Sequence, residues 1–302
     1  MSQGQMVGGF IVPGKIHILL APEQNEGWQR LHDAYKKVKE AIARLKPDVL
    51  LLYSSQWVSI IGHQMQKDPN PRWRYVDDDF HELGTIDYDL LIDPAFADAY
   101  QKAAKARGLT ARTTAYKGFP IDGGSLTALK LLNPDNKVPA SIVSCNMYAD
   151  RSETIVLGKA AVDAAVKEGK RVVCVAVTGL SHRMWTTWRA PHTDKIHSSK
   201  DDEWNRKILE LLSEGRLEDV SQLAREFYRQ ANADSKLKAV WWLSACLGES
   251  NHFDGHVYAY EPVWGTGAAL VSLLPSQEKQ GSLEYDEDGT DFFKGDRNVL
   301  SN

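Results

Sequence analysis

The chain has 302 residues, 25% of them charged and 43% hydrophobic, with a formal net charge of −4, enough for one large α/β domain or two ordinary ones with a buried core. Near-balanced charge leaves no electrostatic footprint for nucleic acid, and the longest apolar runs are strand-length, far short of the ~20 residues a membrane span needs. Cys145, Cys174 and Cys246 are widely spaced, sit in apolar contexts and are odd in number, which fits buried thiols rather than a disulfide framework or a zinc knuckle.

The opening "MSQGQMVGGFIVPG" has no basic region followed by an apolar one, so the expectation is a cytoplasmic protein without a signal peptide. In chain order, "GGFIVP" reads as a first strand. "GWQRLHDAYKKVKEAIARL" follows as a helix with Leu31, Tyr35, Val38, Ile42 and Leu45 on one stripe. "DVLLLYSS" is a second strand, and "DDFHELGTIDYDLLID" a long connection. "FADAYQKAAKARG" is a helix stopped by Gly108. "YKGFPIDGGSLTALKLL" reads as another long connection, rich in Gly, Pro and aromatic residues, the composition of a working surface. "ASIVSCN" is a strand, and "SETIVLGKAAVDAAVKEGK" a helix that begins with a capping signal at Ser152 and ends at Gly169.

"KRVVCVAVTGLSHRMW" then starts as a continuous apolar run, Val172 to Val177, the pattern of a strand covered on both faces. It passes directly into Gly179-Leu180-Ser181-His182. Such strand ends are where α/β proteins collect ligands, and position alone leaves His182 either as a capping residue or as a chemical group. "DDEWNRKILELLSEG" is a helix with acids in its first turn, and "HVYAYEPVWGTGAALVSLL" a final apolar strand, either a hairpin return or an edge. The expected fold is α/β: a single domain, residues 1–275, with a central mixed, largely parallel sheet flanked by helices. Residues 276–302 read as a polar acidic tail in which Phe292-Phe293 is a docking anchor or simply solvated.

Gly265-Thr266-Gly267 lacks the third glycine and the acidic residue of a dinucleotide fingerprint, and phosphate-loop and Gly-x-Ser-x-Gly signatures are absent. Histidines are what remain. Of nine, His32, His192 and His197 read as surface residues, whereas His17, His63, His81, His182 and His256 each follow or interrupt an apolar segment. Histidines from separate strand ends can converge on a metal.

Taken together, "FIVPGKIH", "YSSQWVSIIGHQ", "ELGTIDYD", "GFPIDGGSLTA", "GLSH", "DDEWNRKILE" and "YEPVWGTGAA" occur in the order expected of the class III extradiol ring-cleavage dioxygenases, the protocatechuate 4,5-dioxygenase large-subunit superfamily. The chain resembles that superfamily over roughly residues 6–275, and most of all its aminophenol-cleaving members built from paired subunits. The resemblance implies one Fe(II) held by two histidines and a glutamate, with open positions for an aromatic substrate and O2. It maps the second metal histidine onto His63 and the acid–base histidine onto His182. Two positions depart from it: Gly14 stands where the first metal histidine belongs, and His256, nine residues before Gly265, where the glutamate belongs. His17 is then the candidate third ligand. Glu261, five residues from His256, faces the other side of a strand.

Aromatic residues such as Trp57 would wall a pocket for a flat ring, and His81, Asp122 or Ser125 would orient its hydroxyl or amino group. Three readings follow. One is a divergent non-heme metalloenzyme acting on an aminophenol- or catechol-like ring with Fe(II) or another divalent ion. Another is a metal-free, non-catalytic subunit paired with a related sister chain, and the last a metal-dependent hydrolase on the same scaffold. Family practice implies a homo-oligomer or heteromer, with neither nucleic acid nor membrane as partner.

Overall fold

A computed structural model describes residues 4–276; the predicted tail and its Phe292-Phe293 pair lie outside the described residues, apart from Ser276. The strands are β1 (Gln5–Val12), β2 (Val49–Ser59), β3 (His63–Gln66), β4 (Arg72–Val76), β5 (Thr85–Asp89), β6 (Ala111–Thr114), β7 (Ala140–Asn146), β8 (Arg171–Val177), β9 (Phe253–Val263) and β10 (Thr266–Pro275). The helices are α1 (His17–Leu20), α2 (Glu26–Leu45), α3 (Pro94–Ala106), α4 (Gly123–Leu132), α5 (Arg151–Glu168), α6 (Ser199–Ser213), α7 (Leu217–Ala231) and α8 (Lys238–Leu247).

Eight strands form one mixed sheet in the order β6-β3-β7-β2-β8-β1-β10-β9, and β4 and β5 pair separately. Its centre, β7-β2-β8-β1, is parallel throughout. The alternation of β8 explains why. Val172, Cys174 and Ala176 enter the core beneath α3 and α5 to α8, while Val173, Val175 and Val177 enter the one beneath α2 and α4. A strand buried on both faces has no polar side to offer water, so helices cover it twice. The α/β, largely parallel expectation therefore holds.

Several elements differ from the sequence reading. The connection "YKGFPIDGGSLTALKLL" contains α4, begun by Asp122, whose carboxylate accepts the Ser125 N–H at 2.8 Å. The cap of α5 is Asp150, two residues ahead of Ser152. The last apolar stretch, by contrast, agrees with the hairpin alternative, β9 turning at Trp264-Gly265 into β10, with β9 as the edge strand. Among the described residues, no helix is long and apolar enough to cross a membrane.

Candidate functional site

The carboxyl ends of β1, β2 and β8 open on one side of the sheet. Beyond β8 the backbone is tied to the segment after α7: the His182 N–H donates to the Asn232 carbonyl at 2.9 Å and the Asp234 N–H to the Leu180 carbonyl at 2.8 Å. This brings Asp234 under His182. The Asp234 carboxylate accepts from Ser55 Oγ at 2.8 Å, the Gly179 N–H at 2.9 Å and Thr178 Oγ1 at 3.1 Å. Burial would raise its pKa, but His182, the Gly179 amide, Lys15 and Ser55 together hold it below the ordinary aspartate value.

His182 Nδ1 lies 3.8 Å from Asp234 Oδ1. Burial pushes the imidazole pKa down, the Asp234 carboxylate works against that, and the Lys15 ammonium works with it. The ring is accordingly neutral at neutral pH. A neutral imidazole beside a buried carboxylate can take a proton from an acidic hydroxyl, with the carboxylate stabilising the imidazolium formed. His182 therefore stands at the mouth of a buried strand with a buried carboxylate 3.8 Å from its Nδ1.

The end of β1 is packed differently from what the resemblance implies. Gln56 Nε2 donates to the Gly14 carbonyl at 2.8 Å. A Cβ on Gly14 would lie 2.6 Å from Gly124 Cα and 2.9 Å from both Gln56 Nε2 and Val177 Cγ1, and a Cβ on Gly124 would lie 2.8 Å from Gln56 Cδ. Gly14 is needed because the backbone at the start of α4 presses against the β1 end, whereas at Gly124 the added atom would meet only the movable end of the Gln56 side chain. Next in sequence, Lys15 is partly buried with Nζ 3.7 Å from Met184 Sδ. Burial lowers its pKa against the opposing charges of Asp234, Asp77 and Asp194.

The predicted metal histidines do not meet. His17 is buried in an aromatic cage, its ring centroid 4.8 Å from Trp28, 4.4 Å from Phe80 and 5.9 Å from Trp264. Burial and then the Lys15 charge press its pKa down to about 3. His63, at the start of β3, is fully buried with Nε2 3.3 Å from Glu153 Oε1 near the start of α5. His256 is exposed on the edge strand β9, its ring 4.4 Å from Tyr258. Seven residues separate it from Val263 at the mouth end of β9, about 23 Å along a strand at about 3.3 Å per residue. Glu261 pairs with Arg30 at 2.5 Å. Among the described residues, no group of three or more His, Cys, Asp or Glu side chains is placed to hold a metal ion. The residues present do not fit a site of two histidines and a carboxylate.

Of the substrate-binding candidates, Asp122 and Ser125 are brought together, but as a helix start: Asp122 also accepts Ser125 Oγ and Ser54 Oγ, each at 2.7 Å. Trp57 is half-buried, 5.8 Å from Phe119. His81 is exposed, with Nδ1 3.4 Å from the Asp78 carbonyl. The sequence reading missed Lys15, Ser55, Gln56 and Asp234. Lys15 lies three residues past β1, and Ser55 and Gln56 come after the apolar part of β2, where a strand-end rule points. Asp234 carried no local signal, since only the backbone pairing after β8 brings it near.

Comparison with known proteins places this geometry among relatives. Residues 12–271 match the family described as the catalytic LigB subunit of aromatic ring-opening dioxygenase. The alpha subunit of 2-aminophenol 1,6-dioxygenase from a Pseudomonas species is 31% identical, over 89% of this chain and 98% of its own length. The beta subunit from Pseudomonas is 32% identical, over 90% of this chain and 94% of its own length. The crystal structure of an uncharacterized Escherichia coli K12 protein shares the fold, with a TM-score of 0.61 at 14% identity over 88% of this chain and 99% of that one.

Proposed function

Because the chain belongs to the LigB family of aromatic ring-opening dioxygenases, we propose that it is a subunit of such an enzyme acting on an aminophenol- or catechol-like ring, with the ring-opening metal centre carried by a sister chain. One observation carries this reading: the position where the resemblance puts the first metal histidine is Gly14, closed over by Gln56 and Gly124. The nearly equal identity to two relatives named as alpha and beta subunits of one enzyme supports a partner of the same family.

The test is reconstitution. Oxygen uptake with 2-aminophenol is measured for this chain alone, for a metal-bearing sister alone, and for the two together. The reading expects no turnover from this chain alone and more turnover from the pair than from the sister alone. Ring opening by this chain alone contradicts it.

A second reading, a divergent non-heme metalloenzyme, draws on the His182–Asp234 pair at the mouth. The two readings part at His182→Ala. If the chemistry sits in the sister, the reconstituted pair keeps its turnover within about twofold; loss of a working acid–base group costs roughly 10²–10⁴-fold.

A further inference from the structure

Beside His182, on the side facing α7 and α8, lies a cavity of about 280 Å³. We propose that it is a binding site for a small planar carboxylate. Val58, Met147 and Tyr228 supply its apolar walls, and Lys236 and Lys238 line it together with His182, with no aspartate or glutamate among the lining residues. The volume falls just below the range of about 300–1,000 Å³ that takes drug-sized ligands, which restricts the occupant to a single small ring or short chain.

The two lysines are held differently, and neither is spent on a carboxylate. Lys238 is buried, and its Nζ donates to the Asn146 carbonyl at 2.6 Å and the Met147 carbonyl at 2.8 Å. Those partners fix the ammonium but are uncharged, and an ammonium has a third proton to give. Lys236 is exposed, its Nζ 5.8 Å from the centre of the Tyr228 ring. Burial and the nearby Lys236 charge press the Lys238 pKa down, and Glu153 and Asp150 offset this only from a distance without pairing with it, so an anion that joins the two ammonium groups directly is favoured.

The backbone that presents these lysines is itself unusual. Ser235, Lys236 and Leu237 are all left-handed, at φ of 48°, 61° and 58°. Non-glycine residues in that region cost of order 1–3 kcal/mol each and persist where the surroundings fix them, as at ligand clamps. Here the turn places Lys236 at the cavity edge and sets Lys238 at the start of α8 beneath it.

Ring opening by O2 between a hydroxyl-bearing carbon and its neighbour, with both oxygen atoms retained, leaves a carboxylate on an open chain. On the function proposed above, this cavity therefore takes the product class rather than an uncharged aminophenol; that link rests on that reading, whereas the carboxylate site does not. The test accordingly uses no turnover.

The full chain is titrated by calorimetry with benzoate, with benzamide as the uncharged analogue, and benzoate is repeated on Lys236→Met. The substitution is at an exposed side chain, and a thermal midpoint matching wild type shows that the variant folds. Expected are saturable binding of one benzoate per chain, binding of benzamide at least tenfold weaker, and at least a tenfold loss of benzoate affinity in the variant. No saturable benzoate binding, equal binding of benzamide, or an unchanged affinity in Lys236→Met overturns the proposal.

Discussion

At the mouth of the sheet burial comes first in setting the state of His182, with the Asp234 charge opposing it and the Lys15 charge adding to it. The 3.8 Å between Nδ1 and Oδ1 is too long for a hydrogen bond but short enough for charge to act. Since the carboxylate opposes both burial and Lys15, Asp234→Asn should lower the His182 pKa further. An NMR titration of the imidazole protons reads this, and an upward shift would sink the account. The same carboxylate accepts the Gly179 N–H and the hydroxyls of Ser55, Thr178 and Ser235, so a variant that fails to re-pair them loses about 1–3 kcal/mol of stability.

His17 gives a pH prediction of its own. Its folded pKa of about 3 lies below the unfolded value of 6.5. As pH falls from about 6.5, the unfolded chain takes a proton that the folded one refuses, so stability falls by up to about 1.4 kcal/mol per pH unit until the folded pKa is reached. His17→Phe should flatten the decline in thermal midpoint between pH 6.5 and pH 4 relative to wild type. Parallel curves for the two proteins would show that the ring is not held neutral by its cage.

Among the elements, those with an internal signal were legible and those without were not. The apolar run of β8 and the Leu31–Ile42 stripe of α2 announce themselves through burial on two faces or on one. By contrast, α4 starts with Gly123-Gly124, among the poorest helix formers, and only its cap and later contacts make it a helix. In α8, "KAVWWLSACL" is apolar almost all round and carries no stripe to read, while α7 has a stripe but begins without a side-chain cap. The role of Asp122 follows from this. Asp122→Ala removes the cap that a weak first turn needs and strands the Ser54 and Ser125 hydroxyls, so it should cost about 1–2 kcal/mol. A denaturant midpoint unchanged from wild type would return Asp122 to the list of free substrate-binding groups.

Across the whole molecule, the order of short segments was enough to identify the family, because each lies at a strand end or helix start whose place the fold dictates. Convergence of the histidines was not legible, because it depends on sheet order. His63 begins β3, two strands from β2 with β7 between them, and His256 lies well down the far edge strand β9. The polar side chain that does reach Gly14 is Gln56, an amide with a weak claim as a metal ligand. The central claim, that the chemistry of ring opening belongs to a sister chain, is met most directly by elemental analysis of this chain purified alone after anaerobic loading with Fe(II). The account predicts far less than one iron per chain. Close to one tightly held iron per chain would contradict it, and would mean that ligands lying apart in this structure are brought together around the metal.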